Sequence, residues 1–439
     1  MNDIAITKAY RASLLHFHSD PDIDGDEAYD FYDDGLLIIE NGHIKAVGNA
    51  TALIQDYPNI EITDYSGHLI IPGLIDTHIH YPQVEVIASY GEQLLDWLNN
   101  YTFPAERQFE DASYAREMAD FFLNELLRNG TTTALVFGTV HKQSVDAFFE
   151  ASSARNTRMI CGKVMMDRNA PDYLCDTPES SYQDSKALIE AWHEKGRQLY
   201  AVTPRFAITS SPEQLERAGQ LCREYPSVYM QTHISENKDE VAFVSELFPD
   251  NQDYLDVYDQ YGLLGERSVF AHGIHLTKRE HQRFRETASS VSFCPTSNLF
   301  LGSGLLDIDE LEREQVTYSV ATDVGGGTSF SMLRTLSEAY KISQLNGSVL
   351  CPLKSVYLAT LGNAKSLHLE DKIGSFKKGN EADFVVLDVN CTPLMKLKQS
   401  KSKTLKEKLF SMIILGDDRA VKATYINGQL AHNRDQEIS

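Results

Sequence analysis

Eight short apolar runs alternate with amphipathic helical patterns along the middle of this chain. They lie near 70–77, 132–138, 158–166, 199–206, 228–233, 268–274, 290–294 and 317–323, and the helical patterns include 114–128, 143–155, 212–224 and 253–261. Strand then helix, repeated, requires a parallel sheet, because parallel strands need crossover connections. Eight such units suit a closed (β/α)8 barrel, a fold of about 250 residues. The flanks read differently. Residues 35–48 form a β-hairpin pattern about Asn41-Gly42, and 382–388 and 421–431 are strand-like, with Asn427-Gly428 as a turn. Both ends are expected to meet in one small β domain, built from 1–68 and 371–439, beside a barrel over 69–370.

Several of these runs end in a metal-ligand side chain. The first, Ile70-Ile71-Pro72-Gly73-Leu74-Ile75-Asp76-Thr77-His78-Ile79-His80, finishes with two histidines that an extended strand points to one side. Three later runs finish at His233, His272 and Asp323. A parallel barrel strand delivers a residue in this way to its carboxyl end, where such barrels keep their chemistry. Imidazoles with one carboxylate suit zinc or divalent iron. Coordination lowers the pKa of a bound water from about 15.7 to near 7, which yields a nucleophile at neutral pH.

Glu236 stands three residues after His233. It reads either as a proton shuttle beside the metal or as an acid at a helix start, and its ligand neighbour favours the shuttle. Asp323 reads as both ligand and acceptor of the attacking water's proton. His272 reads as a fifth ligand or as a group that orients the water, and spacing does not separate the two. His16, His18, His141, His193 and His281 lack such context and read as surface or core residues.

Two connections look long. Residues 81–110 carry Trp97, Tyr101 and Phe103, aromatics that need burial, and are expected to form a lid; residues 167–190 follow the third strand. The net charge of -23 opposes binding to nucleic acid or anionic membrane surfaces, and no apolar stretch reaches the length of a membrane span. Six scattered cysteines without a Cys-x-x-Cys pair, and a start without a secretory pattern, fit a cytoplasmic protein.

The string Pro72 to His80 with the later His233, His272 and Thr322-Asp323 resembles the amidohydrolase superfamily. Within it, His80-Tyr81-Pro82-Gln83, Tyr90-Gly91-Glu92-Gln93-Leu94-Leu95-Asp96-Trp97-Leu98, Tyr101-Thr102-Phe103-Pro104-Ala105-Glu106 and Gly162-Lys163-Val164-Met165-Met166-Asp167-Arg168-Asn169 are similar to the guanine deaminase family. So are Thr203-Pro204-Arg205-Phe206 and Phe293-Cys294-Pro295-Thr296-Ser297-Asn298. The resemblance implies hydrolysis of guanine to xanthine and ammonia, one zinc per subunit and a homodimer. It implies a metal set of His78, His80, His233, His272 and Asp323, with Glu236 as proton shuttle to ring nitrogen 3. Catalytic roles fall to Glu236, Asp323 and His272. The implied substrate contacts are His80, Tyr81, Pro82, Gln83, Arg205, Phe206, His233, Glu236 and Asp323. Arg205 suits guanine's acceptor oxygen, Gln83 the neighbouring nitrogen edge, and Phe206 the purine face.

Three rival readings are weaker. The His-x-Glu with Pro-Cys-x-x-Cys deaminase design is met only in its first half, by His368-Leu369-Glu370. A binuclear site would need a bridging lysine on the fourth strand, whereas Lys163 reads on the third. A noncatalytic scaffold would not need Glu236 and every ligand together.

Overall fold

The computed structural model describes residues 7–90 and 94–436. Eight strands make the barrel: β1 Leu74–His80, β2 Thr131–Phe137, β3 Arg158–Gly162, β4 Leu199–Pro204, β5 Tyr229–Ile234, β6 Ser268–His272, β7 Ser290–Phe293 and β8 Thr317–Val320. Each pairs in parallel with its chain neighbour. Every residue of β1, β2, β3, β6 and β7 is buried. That is why these runs do not alternate between apolar and charged solvent-facing residues, helices covering one face and the barrel interior the other.

The barrel closes where β8 returns to β1. Past the end of β8, the Asp323 amide donates to the His78 carbonyl at 3.0 Å and the His80 amide donates to the Val324 carbonyl at 2.7 Å. At the opposite end the Asn363 side chain fills the seam. It donates to the carbonyls of Ile75 at 2.7 Å and Val320 at 2.8 Å, and accepts from the Val320 amide at 3.0 Å.

The helical patterns form helices Ala112–Arg128, Lys142–Ala154, Pro212–Glu224 and Tyr254–Gln260. Two expectations need correction. The run at 70–77 is not one barrel strand. Residues 70–72 end the flanking strand Ile62–Pro72, and β1 begins at Leu74. Gly73 is required at the joint, since a Cβ there would stand 2.1 Å from the Thr132 hydroxyl. The connection at 167–190 is not a loop throughout, because Pro178–Trp192 is a helix opened by a Thr177–Ser180 capping box.

The chain's two ends build a second sheet, in the order 429–433, 421–426, 384–387, 62–72, 7–17, 29–40 and 43–49. Asn41 and Gly42 have φ of 52° and 82°, which allows the tight turn of the first hairpin. Arg158 and Arg197, at the starts of β3 and β4, pair with Glu381, and Arg197 also pairs with Asp383 just before the strand Phe384–Leu387. This buried network fastens the barrel to the sheet. Among the described residues no helix is long and apolar enough to cross a membrane, and all six cysteines are unpaired.

Candidate active site

Every expected ligand arrives at the carboxyl end of a strand. His78 and His80 finish β1, His233 is the penultimate residue of β5, His272 ends β6, and Asp323 lies three residues past β8. His272 and Asp323 hold left-handed backbone angles, with φ of 73° and 52°. Non-glycine residues adopt this region at a cost, of order 1–3 kcal/mol, that concentrates at functional sites.

The imidazole nitrogens converge. His80 Nε2 stands 3.3 Å from His78 Nε2 and 3.1 Å from His233 Nε2. Asp323 Oδ1 is 3.2 Å from His78 Nε2 and 3.5 Å from His80 Nε2. Ligands about 2.0–2.2 Å from a tetrahedral metal stand roughly 3.3–3.6 Å from one another, so this donor set fits a divalent cation. Burial holds the imidazoles neutral: His78 is pushed down to about 3, with the Arg205 charge acting the same way, and His80 and His233 lie well below their ordinary value. The His233 Nδ1 proton is given to the Arg205 carbonyl at 2.7 Å, which turns the Nε2 lone pair toward the cluster.

His272 is placed differently. Its Nε2 faces Glu236 Oε2 at 3.3 Å and Asp323 Oδ2 at 3.9 Å, while the Asn298 amide lies 2.9 Å from its Nδ1. With Asn298 donating to Nδ1, the ring carries its proton on Nε2, directed at the two carboxyls. Cys294 also lies in this cluster, but its thiol donates to the Ser292 carbonyl, and burial with the Asp323 charge raises its pKa.

Glu236 is 3% exposed and accepts from the Ser303 hydroxyl at 3.0 Å. The helix-start role weighed for it belongs to Glu240. That side chain accepts from the amides of Glu236 at 2.8 Å and Asn237 at 3.0 Å, capping the helix Lys238–Leu247. Glu236 thus precedes the helix and lines the cavity with His233 and Asp323. Burial drives its carboxyl well above the usual range, and the nearby Asp323 charge adds to the shift.

Asp76 braces the site from behind. It accepts from the Thr322 amide at 3.1 Å, the Thr322 hydroxyl and the His78 amide at 3.3 Å, so one carboxylate joins the ligand-bearing ends of β1 and β8.

Gln83, Arg205 and Phe206 line the same cavity, with Trp97 and Leu98 on its apolar side. Arg205 Nη1 donates to both oxygens of Glu106 at 2.9 Å. Gln83 Nε2 lies 3.2 Å from Glu106 Oε1 and 3.1 Å from His80 Nδ1. The segment expected as a lid supplies Trp97, Leu98, Phe103 and Glu106, all buried, and Tyr101 packs partly buried against the core. Gly91, Glu92 and Gln93, part of one of the motifs read above, lie outside the described residues. Tyr81 and Pro82 are buried but absent from the cavity wall; the Tyr81 hydroxyl instead donates to the Ser144 carbonyl at 2.6 Å, inside an aromatic cluster with Phe109 and Phe148. Lys163 is buried and ion-paired with Asp176, so its amine is engaged away from a bridging role.

The model of the amidohydrolase family matches residues 69–431. The chain belongs to the amidohydrolase family. It is 57% identical over 408 residues to the guanine deaminase of Escherichia coli (strain K12), covering 92% of each chain. The solved E. coli guanine deaminase superposes with a TM-score of 0.95 at 55% identity, over 97% of this chain and 100% of that one. A guanine deaminase from C. acetobutylicum, solved with guanine bound in its active site, matches at 29% identity and a TM-score of 0.88, over 97% and 100% of the two chains.

Residues of this amidohydrolase site that were not singled out from the sequence include Glu106, Asn298, Ser303 and Leu98. Glu106, Leu98 and Asn298 fall within motifs that carried the family resemblance, and that was their only signal; Ser303 falls outside them.

Proposed function

We propose that this amidohydrolase is a guanine deaminase, hydrolysing guanine at carbon 2 to xanthine and ammonia. The observation that carries the reading is the buried Gln83–Glu106–Arg205 set in the wall of a cavity that also holds the histidine–aspartate cluster. Guanine presents an acceptor oxygen at carbon 6, which an arginine can bond; adenine presents an amino donor there and would leave Arg205 facing another donor. The guanine-bound C. acetobutylicum relative supports this choice of base.

In our reading His78, His80, His233 and Asp323 hold one zinc ion per subunit. Such an ion supplies a water molecule acidic enough to act as a nucleophile at neutral pH. The protein's own side chains do the rest. Arg205 and Gln83 fix the purine edge, and Phe206 packs on its face. Trp97 and Leu98 keep bulk water out. Asp323 takes the proton of the attacking water. Glu236, protonated in its buried setting, gives its proton to ring nitrogen 3 as oxygen bonds to carbon 2. Now unprotonated, it takes the proton of the new hydroxyl on carbon 2 and passes it to the amino group, so that the carbon–nitrogen bond breaks and ammonia leaves as the carbonyl of xanthine forms, while the proton held by Asp323 restores Glu236. His272, with Asn298 behind it, orients the water from Nε2.

The same reading makes the enzyme a homodimer, on the strength of the family resemblance, and cytoplasmic, on its six scattered and unpaired cysteines. Leu345 and Val349, exposed at 70% and 72%, are available for subunit contact. Incubating the metal-loaded protein with guanine and following xanthine and ammonia tests the assignment, with adenine as the control. Equimolar products from guanine alone support it, and turnover of adenine but not guanine overturns it.

A further inference from the structure

The flanking sheet contains a second group of metal-ligating side chains that the barrel chemistry does not use. His16 lies in the strand Thr7–Phe17, and His18 follows two positions on. The antiparallel partner strand Tyr29–Glu40 sets Asp30 directly opposite His16. The ladder continues past the strand's end, since the His18 amide donates to the Ala28 carbonyl at 2.7 Å. Both imidazoles therefore meet one carboxylate. Asp30 Oδ2 is 2.9 Å from His18 Nε2 and 3.6 Å from His16 Nε2, and the two rings stand edge to face, 4.8 Å apart.

His16 is the unexplained member. Its side chain is 2% exposed, and neither ring nitrogen has a hydrogen-bond partner. A buried polar group without a partner is costly, and native structures rarely keep one without a reason. The 3.6 Å to Asp30 is too long for a hydrogen bond but suits two ligands of one cation. One ligand atom from each of His16, His18 and Asp30 lies within 4.8 Å of the others. The His18 and Asp30 side chains are about half exposed, so the open side of the group admits water as a further ligand.

We propose that His16, His18 and Asp30 form a second, structural metal site that takes zinc or a similar borderline divalent cation. Two imidazoles, one carboxylate and water are a ligand set for such ions rather than for calcium or magnesium, which prefer all-oxygen shells. A cation here pins the first two strands of the sheet together and gives the buried His16 nitrogen a partner.

The test uses the full-length protein. After dialysis has left only the tightly held barrel metal, Zn2+ is titrated into wild type, His18→Ala and Asp30→Asn. Metal content, thermal midpoint and guanine turnover are followed together. His18 and Asp30 are half-exposed, so neither substitution opens the core, as His16→Ala would. Wild type should bind one further equivalent and unfold at a higher temperature. Loss of even an outer-shell partner weakens metal sites by about 10–100-fold, so each variant should lose affinity for that equivalent by at least this factor. Both should keep the barrel metal and normal turnover. Absence of a further equivalent in wild type, or one that persists unchanged in both variants, overturns the proposal. Co2+ substitution gives a second readout: an additional visible absorption in wild type that is missing from His18→Ala supports the site, and its presence in both overturns it.

Discussion

Arg205 is the residue at which recognition of guanine and the stability of the site are joined. Glu106 is 1% exposed, and both its oxygens accept from Arg205 Nη1 at 2.9 Å. Arg205→Ala therefore does two things at once. It deletes the donor to the purine oxygen, and it leaves a buried carboxylate without its cation. Breaking a buried pair by removing one partner costs about 3–5 kcal/mol. A hydrogen bond to a charged group is worth about 1.5–3 kcal/mol, which corresponds to a factor of roughly 10–150 in kcat/KM. The stability loss exceeds the recognition loss, so a single variant confounds them. The double variant Arg205→Met with Glu106→Gln removes both charges in similar volume and should recover much of the thermal stability. Measuring kcat/KM for guanine and for 2-aminopurine, which lacks the oxygen, isolates recognition. Both the single and the double variant should lose the preference for guanine, while 2-aminopurine falls much less. Equal losses on the two substrates in the double variant would refute the assignment of Arg205 to the carbonyl.

Other outcomes follow from the same geometry. Glu236→Gln should keep the barrel metal and thermal midpoint but lose about 10²–10⁴ in turnover; near-normal kcat would remove Glu236 from proton transfer. Chelation should abolish activity, and zinc should restore it at about one ion per chain in the barrel, as counted by metal analysis; a second ion lost together with the first in His78→Ala would point to a binuclear centre instead. Burial pushes the Glu381 carboxyl up, but hydrogen bonds and charge from Arg158 and Arg197 outweigh it and hold its pKa below the ordinary 4.5. A depressed carboxyl contributes stability that is present above pH 4.5 and lost as pH falls through the folded value. Glu381→Gln should thus lower the thermal midpoint at neutral pH and flatten its decline below pH 4.5, and an unchanged acid limb would argue against the clamp.

The parts of this molecule that local pattern encodes were readable in its sequence. Buried parallel strands are largely apolar runs, and a titratable side chain at a run's end stands out, so the clustered residues His78, His80, His233, His272 and Asp323 could be picked without coordinates. Residues whose meaning depends on distant partners could not. Glu106 acquires its role from Arg205, 99 positions later, and Ser303 from Glu236, 67 positions earlier. The joint at Gly73 was hidden because the chain stays apolar on both sides of it while passing from one sheet to the other. His16 and His18 looked ordinary because the residue that completes them, Asp30, faces them only through a strand register that shifts between Ala12 and Leu14. By contrast, the start of the helix Pro178–Trp192 was written locally, in Thr177-Pro178 and Ser180, and the reading of 167–190 as one long connection passed over it.

Turnover of guanine by the zinc-loaded protein in water labelled with heavy oxygen tests the central claim most directly. Hydrolysis at carbon 2 predicts xanthine carrying one labelled oxygen, with ammonia released in equal amount and none formed from adenine. Guanine recovered unchanged, or xanthine without the label, would contradict it.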